Sequence, residues 1–223
     1  MLLLFAVVAF FEFFVKWLLV RSLSPLKFTP AEIARWPEPI QSDFIRCTQQ
    51  LEKLGFIHLS DHTIPSSGES KPISRLFAHR TEKCFAEVSQ TRNAPTFCSF
   101  ISHLENGWSL GTTNMKASVS LSATWYAFLR LPNRLGKSIE NEHIDSLFRR
   151  FIVWRNQIAE GTGLDIRSSL QASDYFKMEQ AVRLQQKQAL LKKSILWALL
   201  EMTLYLWKPK SEWLGTYKKR SLT

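Results

Sequence analysis

His103, Glu105 and Trp108 flank the pair Asn106-Gly107. Asn-Gly favours a two-residue type I′ hairpin turn, because both central residues need positive φ. That register pairs Glu105 with Trp108, His103 with Leu110 and Ile101 with Thr112. It places His103, Glu105 and Trp108 on one sheet face as a candidate polar site, with Leu104, Phe100 and Cys98 on the other. An imidazole beside a carboxylate is acid–base chemistry, and a hydrolase site on this face is one reading. A solvent-facing sheet surface has the same composition.

Other reactive residue types do not assemble by spacing. Gly136-Lys137-Ser138 looks like the end of a phosphate-binding loop, but the pattern requires glycine where Leu131 stands. His58 and His62 are four apart beside Asp61, zinc-ligand spacing on a helix, yet they fall where a strand runs into a loop. Cys47, Cys84 and Cys98 lack C-x-x-C spacing and read as free thiols. No catalytic residue, cofactor or metal ligand is assigned.

The positioning elements follow from periodicity. Ile40, Phe44, Cys47, Leu51 and Leu54 form a one-face helical stripe that opens after Pro39 and stops at Gly55. Residues 56–60, 73–80 and 83–90 read as strands, 61–72 as loop and 97–114 as the Asn-Gly hairpin. Residues 116–131 read as loop followed by one more strand near 125–131. Ser138 is placed as the cap of a helix running to about Glu160 and ended by Gly161 and Gly163. Ser173-Asp174 caps a last helix that can extend unbroken to Trp207.

Several stretches resemble a family of uncharacterised bacterial proteins that are often membrane-anchored. These are Leu54-Gly55-Phe56 after a helix, Phe85-Ala86-Glu87-Val88, and the hairpin from Glu105 through Asn106-Gly107-Trp108 to Asn114. Family members tend to carry Asp-Gly at the turn. The likeness covers roughly residues 40–180. It implies an α+β fold and no catalytic residue.

The two ends carry the compositional bias. The 223 residues hold 29 Lys and Arg against 19 Asp and Glu, and 45% are hydrophobic. This excludes wholesale disorder, and three cysteines exclude a disulfide scaffold. Residues 1–20, MLLLFAVVAFFEFFVKWLLV, are apolar except for Glu12 and Lys16. Twenty residues of helix span about 30 Å, a bilayer core. No charged leader or small-residue cleavage site accompanies them, so they read as an uncleaved transmembrane anchor. Glu12 and Lys16, in the favoured order for a same-face pair, are candidate intramembrane contacts. Arg21, Lys27 and Arg35 on the far flank orient the main domain to the cytoplasm of a bacterial inner membrane, with the N-terminus outside.

Residues 177–223 hold ten basic residues against Glu179, Glu201 and Glu212, leaving 31–176 nearly neutral. Lys192, Lys193, Lys208, Lys210, Lys218, Lys219 and Arg220, with Trp197, Trp207 and Trp213, form a candidate lipid- or partner-binding surface. A partner-binding or core helix with a solvated charged face is the alternative. Nucleic acid is disfavoured, because the aromatics lie in an apolar run and not among the basic residues.

The expected organisation is a transmembrane anchor (1–21), a proline-rich linker (22–39), an α+β domain (40–165) and a basic amphipathic helical tail (166–223). The expected fold is an antiparallel sheet of about four to six strands with helices on one face, preceded by one transmembrane helix and followed by a long basic helix. The expected function is non-enzymatic: a single-pass anchored protein that binds membrane lipids or a protein partner in the membrane.

Overall fold

A computed structural model describes residues 2–23, 25–63, 72–90, 95–116, 118–209 and 212–213. In chain order the elements are α1 (Leu2–Ser22), β1 (Thr29–Pro30), α2 (Glu38–Lys53), β2 (Ile57–Thr63), β3 (Ile73–His79), β4 (Cys84–Gln90), β5 (Phe97–His103) and β6 (Ser109–Thr113). There follow α3 (Val119–Thr124), extended by a π-helical turn over Trp125–Leu129, then β7 (Arg134–Ser138), α4 (Ile144–Thr162), α5 (Ala172–Lys192), α6 (Ile195–Trp207) and β8 (Glu212–Trp213).

The strands form one sheet in sequence order. All neighbours are antiparallel except β6 and β7, which run parallel. With the two-residue strands β1 and β8 the described sheet is eight strands wide, beyond the four to six expected. Residues 22–39 supply β1, paired to β2, and Ile33 and Trp36, which join the core.

α2 forms as its stripe requires. Phe44, Cys47 and Leu51 are buried, and Gly55 adopts φ +91 just past its end, where a residue with a Cβ is strained. α2 and α4 cover one sheet face. Phe77, Ala86, Val88, Phe100 and Leu135 meet Leu147, Phe148, Phe151 and Trp154 there.

The expectation of helices on one face is corrected. The opposite face is covered by α5, where Leu76, Ala78, Phe85 and Ile101 pack on Tyr175. β3 and β4 are therefore buried on both sides. The sequence hides this because part of the α5 contact is polar: Tyr175 bonds Glu87 and Glu179 pairs with Arg134.

The terminal elements also differ. Among the described residues no helix is long and apolar enough to cross a membrane, which overturns the transmembrane helix. α1 carries Glu12, Lys16 and Arg21, and its polar side is engaged with the rest of the chain. The long basic helix is two helices, broken at Lys193. Ser194 caps α6 by accepting from the Trp197 N–H. α6 is apolar, and its one charged side chain is Glu201.

Two local expectations fail for identifiable reasons. Residues 119–129 are helical where a loop and then a strand near 125–131 were expected, started by the Ser118 side chain accepting from the Leu121 N–H. Ser138 ends β7 instead of capping a helix, and its hydroxyl donates to the Met115 carbonyl.

Candidate functional sites

The hairpin is displaced by one residue from the two-residue-turn register. His103 pairs with Ser109 and Ile101 with Gly111. Glu105–Gly107 form a turn of 3-10 helix, closed by the Leu104 N–H donating to the Trp108 carbonyl. A one-residue slip moves every partner side chain to the other face. His103 keeps its expected face, with Ile101 and opposite Phe100 and Leu104, and that face lies against α5, near Phe85 and Tyr175. Trp108 packs against the opposite core, and Glu105 is exposed. The three residues do not form one site.

His103 instead lines a cavity that includes Lys83, Arg167, Asp174 and Lys177. Burial, followed by the charges of Arg134 and Arg167, pushes its pKa down to about 4. The ring is therefore neutral at physiological pH.

A second polar cluster lies on the same face. Glu87, inside an apolar strand, accepts from the Tyr175 hydroxyl at 2.7 Å, and His62 Nε2 stands 3.5 Å away from its other oxygen. Phe28 and Phe176 enclose the His62 ring, which is 2% exposed. Burial alone would raise the Glu87 carboxyl. The interactions with His62, Tyr175 and Ser74 outweigh it and hold the group below its ordinary value. Sequence reading missed this cluster, since Glu87, His62 and Tyr175 are far apart along the chain. The available signal was a lone carboxylate within Phe85-Ala86-Glu87-Val88.

His58 and Asp61 are joined at 3.0 Å, and Arg75 grips both Asp61 oxygens at 2.7 and 2.9 Å. That carboxylate is committed to an ion pair. Among the described residues no group of three or more His, Cys, Asp or Glu side chains could hold a metal ion. The three cysteines are free and buried, with burial raising each thiol pKa, Cys84 to about 12.

The terminal helices form a separate small core. Leu23, Phe128, Leu190, Ile195 and Ala198 pack with Val15, Leu19 and Val20. The charges of α1 and α6 lie at this junction. Glu12 pairs with Lys16 at 3.2 Å and accepts from the Ile195 N–H at 3.2 Å, closing the first turn of α6. Lys193 reaches the Ala127 carbonyl and Glu201, each at 2.5 Å, and Arg130 approaches Glu201 at 3.6 Å. Lys193 is thereby an internal tie, and Glu12 contacts both Lys16 and α6.

The opposite sides of these helices are apolar. On α1, Phe10, Phe13, Phe14, Trp17 and Leu18 are exposed, Phe13 at 69%. On α6, Leu196, Trp197, Leu200, Leu204 and Trp207 are exposed, Trp207 at 82%. Val119 and Leu121 of α3 are exposed as well. Arg21, Lys192 and Lys208 lie on the surface at the helix ends, with Arg21 over the Trp17 ring at 5.4 Å. The Trp213 backbone belongs to β8. Lys210, Lys218, Lys219 and Arg220 lie outside the described residues.

No family model matches the chain, and no curated protein or solved structure matches it.

Proposed function

We propose that the protein attaches to one leaflet of an anionic membrane through α1, α3 and α6, and carries its α+β domain at the headgroup surface. The supporting observation is the inverted polarity of α1 and α6. Glu12, Lys16 and Glu201 face the protein interior in ion pairs, and Phe, Trp and Leu face outward. A helix surrounded by water carries the opposite arrangement. Intramembrane charges face a bundle interior and pair there.

α6 is too short to cross a bilayer core. α6 has 13 residues, about 20 Å of helix, and a leaflet is about half of the 30 Å hydrocarbon core. Burying one large apolar side chain contributes about 1.5–3 kcal/mol. Six such chains therefore supply on the order of 10 kcal/mol before entropic costs. Arg21, Lys192 and Lys208 each add about 1 kcal/mol beside an anionic surface. Trp17, Trp197 and Trp207 suit the interface, where an amphipathic ring has both an apolar and a wet side.

Flotation of the full-length protein with phosphatidylglycerol/phosphatidylcholine vesicles tests this. The wild type is expected to float, and F13S/W197S/L204S/W207S to stay in the dense fraction while keeping its circular dichroism spectrum. Unchanged flotation of that variant overturns the reading. So does a wild type that ignores vesicles and buries the same face in a stable dimer.

A further inference from the structure

A cavity of about 170 Å³ opens where the β3–β4 turn, the end of β5 and the start of α5 meet. His103 lines it at 5% exposure. Neither of its ring nitrogens has a hydrogen-bond partner among the described residues. A buried imidazole without partners is costly, so this position calls for something else to meet the ring.

The surrounding charge is one-sided. Lys83, Arg167 and Lys177 line the cavity against one carboxylate, Asp174, which already accepts from the Ser169 hydroxyl. None of the three cations is ion-paired to a carboxylate among the described residues. The Arg167 guanidinium rests on Met178 sulfur at 3.7 Å. The Arg167 N–H donates to the His103 carbonyl at 2.9 Å, which fixes this segment against the strand end.

We propose that this cavity binds a small soluble phosphomonoester. Its phosphate sits between Arg167, Lys177 and Lys83 and meets His103, and its organic part lies against Phe85 and Met178. Two uncompensated positive charges match a phosphomonoester, which approaches −2 at neutral pH. The guanidinium fork matches phosphate geometry, and a neutral imidazole offers one N–H donor.

The position favours a soluble ligand over a lipid headgroup. Asp174 and Lys193 are separated by nearly the whole of α5, roughly 28 Å at 1.5 Å per residue. The cavity is thus at the far end of α5 from the α6 junction.

Phenyl phosphate is the probe, titrated into the full-length protein in uncharged detergent. Calorimetry is expected to show saturable 1:1 binding, weakened about ten-fold or more in R167Q and K177Q. The variant R149Q, on exposed α4 surface, is expected to bind as the wild type does. The bound anion is expected to raise the titration midpoint of the His103 ring, followed by imidazole NMR. R167K, which keeps the charge and loses the fork, is expected to bind with intermediate affinity and serves if R167Q does not fold. Absence of saturation overturns the proposal. Equal weakening by R149Q overturns it too, as does loss of phosphatidic-acid vesicle binding in R167Q with no response to phenyl phosphate, which would identify a headgroup site.

Discussion

Glu87 is a carboxylate inside an apolar strand, and its partners decide what it costs. Tyr175 donates to one oxygen and His62 stands at the other. Tyr175→Phe removes a hydrogen bond to a charged group, worth about 1.5–3 kcal/mol. Urea denaturation is expected to show a loss in that range, with the slope against urea unchanged. Acid should act through the same groups. Glu87 and Asp61 are both held below their ordinary values: burial would raise each, but His62 and Tyr175 hold Glu87 down, and Arg75 and His58 hold Asp61 down. A carboxylate with a depressed folded pKa contributes stability above its unfolded value and loses it as pH falls through the folded one. His103, held down to about 4, follows the same direction, since the unfolded chain takes up its proton first. Stability is expected to begin falling below about pH 6.5 through His103 and to fall further below pH 4.5 as the carboxylates protonate. A flat profile between neutrality and pH 4 in thermal melts contradicts this.

At the scale of elements, what the sequence reveals depends on whether an element is held by an apolar stripe or by polar contacts. α2 is readable because Phe44, Cys47 and Leu51 recur on one face and Gly55 stops the helix. The stop is exacting: Gly55 has φ +91, and a Cβ there would stand 3.1 Å from His79 Nε2. That nitrogen already donates to the Leu54 carbonyl at 2.9 Å. Gly55→Ala is expected to cost about 1–3 kcal/mol, read from the denaturation midpoint. α5 is not readable in the same way. It meets the sheet partly through polar pairs, Tyr175 with Glu87 and Glu179 with Arg134, which interrupt the apolar pattern of Val182 and Leu190. The hairpin shows a third case. Asn106 and Gly107 both adopt positive φ, 55 and 73, as the dipeptide demands. The loop nevertheless closes one residue wider, and His103 and Trp108 part to opposite faces. Positive φ at two residues specifies a turn, while the strand register is set by burial of Leu104 and Leu110.

For the whole molecule, two expectations about the ends meet different fates. Apolar residues dominate residues 1–20, and the basic excess falls in residues 177–223, as composition shows. Length and hydrophobicity alone, however, do not distinguish a helix that crosses a bilayer from one that presents a single face to it. The distinguishing information is where Glu12, Lys16 and Glu201 point, and that depends on contacts with residues almost two hundred positions away, such as Glu12 to Ile195. The His103 cavity was equally hidden, because Arg167 and Lys177 join His103 only when α5 folds over the sheet. The inverted polarity of α1 and α6 is the central claim, and the depth of their tryptophans tests it most directly. With vesicles containing brominated phosphatidylcholine, wild-type tryptophan fluorescence is expected to be strongly quenched. W17F/W197F/W207F, still vesicle-bound, is expected to lose a large part of that quenching and to keep the share of Trp125 beside α3, because Trp36, Trp108 and Trp154 lie against the domain core. Bound wild-type protein whose fluorescence the bromines leave unquenched, or a triple variant quenched as fully as the wild type, would contradict it.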